Sequence, residues 1–295
     1  MLNFILIRVV VVIFVCVQVF ANEKIKIFIT DHPIIQFGGK MYKKELITDK
    51  FYSPNELDYD KFSRNLFFTY MDENIQNSGR AIINVVTKKT HKIKGIQNNK
   101  AVAVDPDTGE VYFGNERGLY KYDRNKHEAT NIALFNVNVY KLVIRHNEMY
   151  LIDANNHMLY KVFDEGNIIV KVGDWKTIMN FEIDNDKNIH FVNMCGVFCA
   201  VKGHEAVKNK DISVAYHFII NDNEVLAVTD DGIYEVNCVN GTAIRTGSIS
   251  FIPHSITTGD NGEMFYSLDN GIFRLKPINS YFIYNIRRKS QKPLK

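Results

Sequence analysis

The chain has 295 residues, 46% of them hydrophobic and 23% charged, with a formal net charge of +3. That composition can fill a sizeable globular core and excludes a disordered or collagen-like chain. Arg287, Arg288, Lys289, Lys292 and Lys295 concentrate positive charge at the C-terminus, so the rest of the body is net acidic and offers no basic face for nucleic acid.

In chain order, residues 2–21 (LNFILIRVVVVIFVCVQVFA) come first. They have the pattern of a secretory signal peptide cut after Ala21. A signal anchor is the alternative, but the uninterrupted apolar run over 9–15 is short for a membrane span. The expected organisation is therefore a signal peptide over 1–21, one soluble extracellular domain over 22–286, and a solvated basic tail over 287–295. No membrane contact is expected after cleavage. Residues 24–30 (KIKIFIT) alternate charged and apolar side chains, which suggests a strand that closes a ring; residues 281–286 are a second candidate.

The clearest local pattern is KAVAVDPDTGEVYFGNERGLYKYD, residues 100–123. It predicts three short strands, with turn formers at 105–109 and a break at Gly118. Similar units begin near Ser53, Val139, Ile178, Ala215 and Ser255. Their second strands place Phe67, Tyr112, Tyr150, His190, Leu226 and Phe265 at intervals of 45, 38, 40, 36 and 39 residues. Their third strands place Tyr120, Tyr160, Phe198, Tyr234 and Phe273 at intervals of 40, 38, 36 and 39. A period of about 40 with four strands per unit is that of propeller blades. The predicted fold is all-β, a six-bladed β-propeller of four-stranded antiparallel blades. Weaker outer strands are expected near 130–135, 168–172 and 243–249.

Beyond the signal, Cys195, Cys199 and Cys238 remain. An odd number in a secreted chain implies one bridge and one free thiol, and spacing alone leaves the pairing open. Asn240-Gly241-Thr242 is a glycosylation sequon on a predicted loop.

No nucleophile elbow, zinc-protease motif, phosphate loop or dinucleotide fingerprint is present. Residues 184–188 (DNDKN) begin like a calcium loop but lack its glycine and its final glutamate, so an acidic hairpin turn is expected. In a propeller, ligands meet the channel mouth, where first strands start and second strands end. The starts collect Asn55, Glu56, Tyr140, Lys141, Met179, Asn180, Tyr216, His217, His254 and Ser255; the ends include Tyr70, Asp153 and Asn193. Asn55, Tyr70, Tyr140, Lys141, Asp153, Asn180, Asn193, Tyr216, His217 and His254 are the candidate binding residues. Such a set suits a planar, zwitterionic aromatic molecule: rings stack on Tyr, carboxylates meet Lys or His, amines meet Asp. Glu56 and Asn180 with a strand-end Asp are considered for a divalent ion, and no metal or cofactor is expected.

The motifs SPNELDYDKFSRNLFFTY from Ser53, AVAVDPDTGEVYFG from Ala101, GLYKYD from Gly118 and DDGIYEVN from Asp230 resemble the ommochrome-binding proteins of moth and butterfly haemolymph. The resemblance covers essentially the whole mature chain. It implies a secreted, non-enzymatic carrier of ommochrome pigments, and it carries over no ligand-contact motif; separately from the resemblance, a monomer is expected. The alternatives are a calcium-dependent lactonase-like or strictosidine-synthase-like hydrolase on the same fold, or a propeller that binds protein.

Overall fold

The computed structural model describes residues 33–71, 78–98, 100–221, 224–249 and 251–278. The expected signal peptide, residues 24–30, residues 281–286 and the basic tail lie outside them. Six sheets form a ring of blades. Blade 1 runs from its inner strand outward as Tyr52–Asp60, Asn65–Met71, Ser78–Asn84 and Thr90–Lys92. Blade 2 is Ala101–Val104, Val111–Asn115, Gly118–Asp123 and Glu128–Ala133. Blade 3 is Val139–Arg145, Glu148–Asp153, Met158–Phe163 and Ile168–Lys171. Blade 4 is Asn180–Ile183, Ile189–Asn193, Gly196–Ala200 and the two-residue Val207–Lys208. Blade 5 is His217–Asn221, Glu224–Val228, Ile233–Asn237 and Thr242–Gly247. Blade 6 has Ser255–Thr258, Met264–Leu268 and Gly271–Pro277 inside.

The fourth strand of blade 6 comes from the other end of the chain. Lys40–Thr48 pairs antiparallel with Gly271–Pro277, from Tyr42 opposite Pro277 to Thr48 opposite Ile272. Ile34–Phe37 adds a fifth strand by a hairpin. The ring is thus closed by residues 40–48 rather than by either of the two segments expected from alternation. The lysines of Lys40–Thr48 blur the period-2 pattern that an outer, solvated strand keeps only weakly, so its alternation does not show in the sequence.

The ladder positions are equivalent in space. Phe67, Tyr112, Tyr150, His190, Leu226 and Phe265 pair with Asp58, Ala103, Val143, Glu182, Ile219 and Thr257 of their own inner strands. The core is correspondingly divided. Six apolar clusters each fill one gap between neighbouring blades. Ala101–Val104 shows why. Because strand side chains alternate in direction, Val102 and Val104 pack toward blade 1 with Phe67, while Ala101 and Ala103 pack toward blade 3 with Leu142 and Leu151. The repeat extends to polar contacts: Tyr112 donates to Glu110 in blade 2 and Tyr150 to Glu148 in blade 3, each at 2.7 Å.

The turns follow their residues. Asp105 accepts the amides of Asp107 and Thr108, and Gly109 closes the loop at φ +72°. Asp184 of the calcium-like segment accepts the amides of Asp186 and Asn188 and the side chains of Asn188 and His190. Burial pushes its carboxyl up, but His190 and Asn188 outweigh that and hold it below its ordinary range. Protein donors occupy it, as a hairpin turn requires. Cys199 and Cys238 form the disulfide, with Cα atoms 5.3 Å apart, and Cys195 is free and exposed. Asn240 is exposed in the turn just beyond Cys238.

The closing strand is held electrostatically as well. Glu45 meets Arg274 at 2.6 Å and Lys276 at 3.0 Å within blade 6, and Lys88 of blade 1 at 3.0 Å. Burial raises its pKa, but hydrogen bonds from Arg274, Lys88 and Lys276 outweigh this and bring it down to about 2. A depressed folded-state pKa contributes stability above the ordinary 4.5 that is lost as pH falls through about 2. Glu45→Gln should therefore lower the melting temperature at pH 7, and its melting curve should converge on the parent's near pH 2. Thermal melts at both pH values measure this; an offset that is the same at both would refute it.

Candidate functional site

A cavity of about 500 Å³ opens at the end of the channel where the inner strands begin. Two inner strands are irregular there. That of blade 1 shifts register between Asn55 and Asp58, and that of blade 3 between Val139 and Lys141. The inner strands of the other four blades pair with their neighbours without a shift. Bulges re-aim side chains and are common beside functional sites. Glu56 sits on the first at φ +46°, a left-handed conformation that a residue with a Cβ adopts at a cost. The Asn55 side chain accepts the Glu56 amide at 2.8 Å and holds that turn. Together the bulges bring Glu56 and Lys141 within 3.5 Å of each other.

Deeper in the channel, on the inner strands of blades 1, 3 and 4, lies a second charged layer of Asp58, Arg145 and Glu182. Asp58 accepts the Val104 amide at 2.7 Å, the Tyr59 amide at 2.8 Å and the Thr257 hydroxyl at 3.4 Å. Burial pushes its carboxyl up to about 6, against the pull of Arg145 and the two amides. Arg145 lies 3.6 Å from Glu182. Lys141 faces both layers. Burial works against its charge, but Glu56, Glu182 and Asp58 outweigh burial and hold it protonated above the usual lysine range. A smaller cavity of about 130 Å³ below shares Asp58, Arg145 and Thr257 with the upper one, so these three side chains partition the channel.

The rim differs in chemistry. Tyr140, Met179, Met194, Val214 and Tyr216 line the mouth and are exposed, Met194 to 80%. His217 lies below the rim, its Nε2 2.9 Å from the Pro253 carbonyl. Burial lowers its pKa to about 4. The ring is thus neutral at physiological pH, donates from Nε2, and keeps an acceptor at Nδ1.

Of the residues expected at the site, Asn55, Tyr140, Lys141, Asn180, Asn193, Tyr216, His217 and His254 line this cavity. Tyr70 and Asp153 do not. The Tyr70 ring packs 5.0 Å from Phe51, and Asp153 accepts the Asn155 amide to shape its hairpin. The three amides are occupied by backbone. Asn180 donates to the Tyr216 carbonyl at 2.8 Å and accepts the Phe181 amide at 2.9 Å. Asn193 accepts the Cys195 amide at 2.8 Å. They position the mouth more than they face a ligand. Asp58, Arg145, Glu182, Met194 and Val214 were not anticipated. The first three follow from stepping two residues inward from Glu56, Asn180 and, twice, from Lys141, because a strand repeats its face every second residue.

A divalent ion does not fit the mouth as it stands. Glu56 is paired with an ammonium group, and both functions of the Asn180 amide are engaged. Among the described residues, the one cluster with metal-ligand spacing is His190, Cys199 and Cys238, whose sulfurs are joined in the disulfide.

No family model matches the chain. Among solved structures, it is similar to a gluconolactonase from Xanthomonas campestris (TM-score 0.65, 10% identity, 84% of this chain and 95% of that one). It is also similar to the calcium-binding protein regucalcin from Agrobacterium tumefaciens (TM-score 0.61, 10% identity, 79% and 93%). At these identities the likeness concerns the fold alone. The curated ommochrome-binding protein of Manduca sexta is 26% identical over 259 residues, 81% of this chain and 89% of its own. That match supports the family relation with ommochrome-binding proteins to which the blade motifs pointed.

Proposed function

We propose that the protein is a secreted carrier that binds an ommochrome-type aromatic pigment at the channel mouth and sequesters it without turnover. The observation that carries this is the two-layered cavity: exposed Tyr140, Met179, Met194, Val214 and Tyr216 surround a charged floor of Lys141, Glu56 and Glu182. Exposed large apolar side chains gathered around a concave site mark a binding surface. Aromatic rings and thioethers suit a flat ring system, and the floor offers both signs of charge to a ligand carrying carboxylate and ammonium groups. The relative's name supports the ligand class. Secretion is supported by the apolar N-terminal segment and by the disulfide. We place signal cleavage after Ala21 and glycan attachment at exposed Asn240.

Titrating the purified protein with xanthommatin should give a saturable spectral shift. Tyr216→Ala and Tyr140→Ala should each weaken binding about 30-fold, as removal of one aromatic anchor does at about 2 kcal/mol, with circular dichroism unchanged. Absence of a shift with the parent protein would refute the carrier function.

A further inference from the structure

We infer that the Cys199–Cys238 bridge is the oxidised form of a zinc site, in which both thiolates and the His190 imidazole hold one zinc ion between blades 4 and 5. The ligand atoms of these three residues lie within 4.8 Å of one another. The cluster shares no residue with the channel mouth. His190 and Cys199 are register partners on adjacent strands of blade 4, and Cys238 follows the third strand of blade 5. His190 is 1% exposed and is the odd member of its ladder, whose five equivalent positions hold Phe, Tyr or Leu. A buried imidazole at an apolar position requires polar partners. Its Nε2 lies 3.7 Å from the Cys199 sulfur and 2.9 Å from Asp184 Oδ2. Around a tetrahedral zinc ion, sulfur and nitrogen ligands stand about 3.6 Å apart, and nitrogen and oxygen about 3.4 Å. Asp184 Oδ2 is thus in place as the fourth ligand, and its other oxygen is fixed by the Asp186 and Asn188 amides. Only the sulfurs must move, to about 3.8 Å apart, by rotation about their Cα–Cβ bonds. A dithiol reductant passes two electrons to the S–S bond, closes its own disulfide and leaves two thiols. Zinc then displaces both thiol protons to solvent and forms two Zn–S bonds. The Nε2 proton of His190 moves to Nδ1, which is buried and has no partner among the described residues, and the Nε2 lone pair turns to the ion. In a reducing environment zinc therefore joins blades 4 and 5 where the S–S bond joins them in an oxidising one.

The test uses the mature protein carrying Cys195→Ser, which leaves Cys199 and Cys238 as its cysteines. It is unfolded, reduced with a dithiol, freed of the dithiol under nitrogen, and refolded with zinc, with cobalt(II) or with EDTA. The reduced protein should take up one cobalt ion with thiolate charge-transfer absorption and the strong visible bands of a tetrahedral ion. Zinc should displace the cobalt with a dissociation constant of about 0.1 µM or tighter, and the reduced protein should melt several degrees higher in zinc than in EDTA. The oxidised protein should show none of these responses. Adding His190→Phe, the residue found at two equivalent ladder positions, should weaken zinc binding by about 100-fold or more, beyond the usual loss for an outer-shell partner. A reduced, folded protein without tetrahedral cobalt bands overturns the proposal, as does an equal metal response from the oxidised protein or from the His190→Phe variant. Reduced protein that fails to fold in zinc as it fails in EDTA also overturns it, because the ion would then not replace the bridge.

Discussion

Replacing Tyr42 by alanine is expected to destabilise the protein by about 3–5 kcal/mol, the usual cost of truncating a buried aromatic side chain. Tyr42 lies on the closing strand and is 1% exposed. It packs with Phe37 at 6.5 Å and belongs to the cluster of Tyr266, Leu275, Ile219 and Leu226 between blades 5 and 6. The truncation therefore opens a cavity at the seam that joins the two ends of the chain. Neighbouring strands elsewhere in the blades follow one another in the chain, whereas Lys40–Thr48 is held to Gly271–Pro277 and to this cluster by strand pairing and side-chain contacts alone. Urea denaturation should show the loss as a lower midpoint, with a melting temperature reduced by roughly 10 °C on the scaling for domains of this size. Tyr42→Phe keeps the ring and should lose about 1 kcal/mol. A Tyr42→Ala loss below about 1 kcal/mol, smaller than any usual aromatic truncation, would mean that the ring stays closed without this packing.

Breaking the disulfide by the double change Cys199→Ser and Cys238→Ser should cost up to about 4 kcal/mol, the chain-entropy value for a loop of this size. The bridge spans 39 residues and joins the third strand of blade 4 to the end of the third strand of blade 5. Both cysteines are buried, and the His190 ring lies 3.7 Å from the Cys199 sulfur, so solvent reaches the bond poorly. Cys195→Ser removes an exposed thiol and should shift stability by no more than about 0.5 kcal/mol, as surface substitutions do. Thiol titration of the denatured, unreduced parent should find the Cys195 thiol alone among the mature cysteines. Equal melting temperatures for the double variant and the parent would argue against a structural bridge.

The architecture was legible because each blade repeats two signals at once, strand alternation and a spacing near 40. Phe67, Tyr112, Tyr150, His190, Leu226 and Phe265 differ in chemistry, yet they occupy one equivalent register position. Legibility failed where a strand is not constrained by burial. Thr90–Lys92 is exposed along its length and Val207–Lys208 is two residues long, so neither has a pattern to detect. Lys40–Thr48 buries Tyr42, Ile47 and Thr48 but spaces them irregularly. The site was half legible for a related reason. Strand ends locate the mouth, which is why Tyr140, Lys141 and Tyr216 could be named. The depth of the cavity and the meeting of Glu56 with Lys141 depend on two bulges, and a bulge is a local change of register that residue types do not announce. Tyr70 and Asp153 sit at strand ends too, but one packs against Phe51 and the other serves its turn.

The shared sixth blade has a consequence for the order of events during synthesis. Its outer strand leaves the ribosome before any complete blade, and the strand it pairs with leaves last; the Glu45–Arg274 contact spans 229 residues. Blades 1 to 5 can accrete by nearest-neighbour addition as the chain emerges. The final seam is a long-range closure that must wait for the whole polypeptide. During that interval residues 40–48 carry an unpaired β edge. A nascent or truncated chain ending before Gly271 keeps that edge open to other chains, while its lysines at 40, 43 and 44 discourage edge-to-edge association.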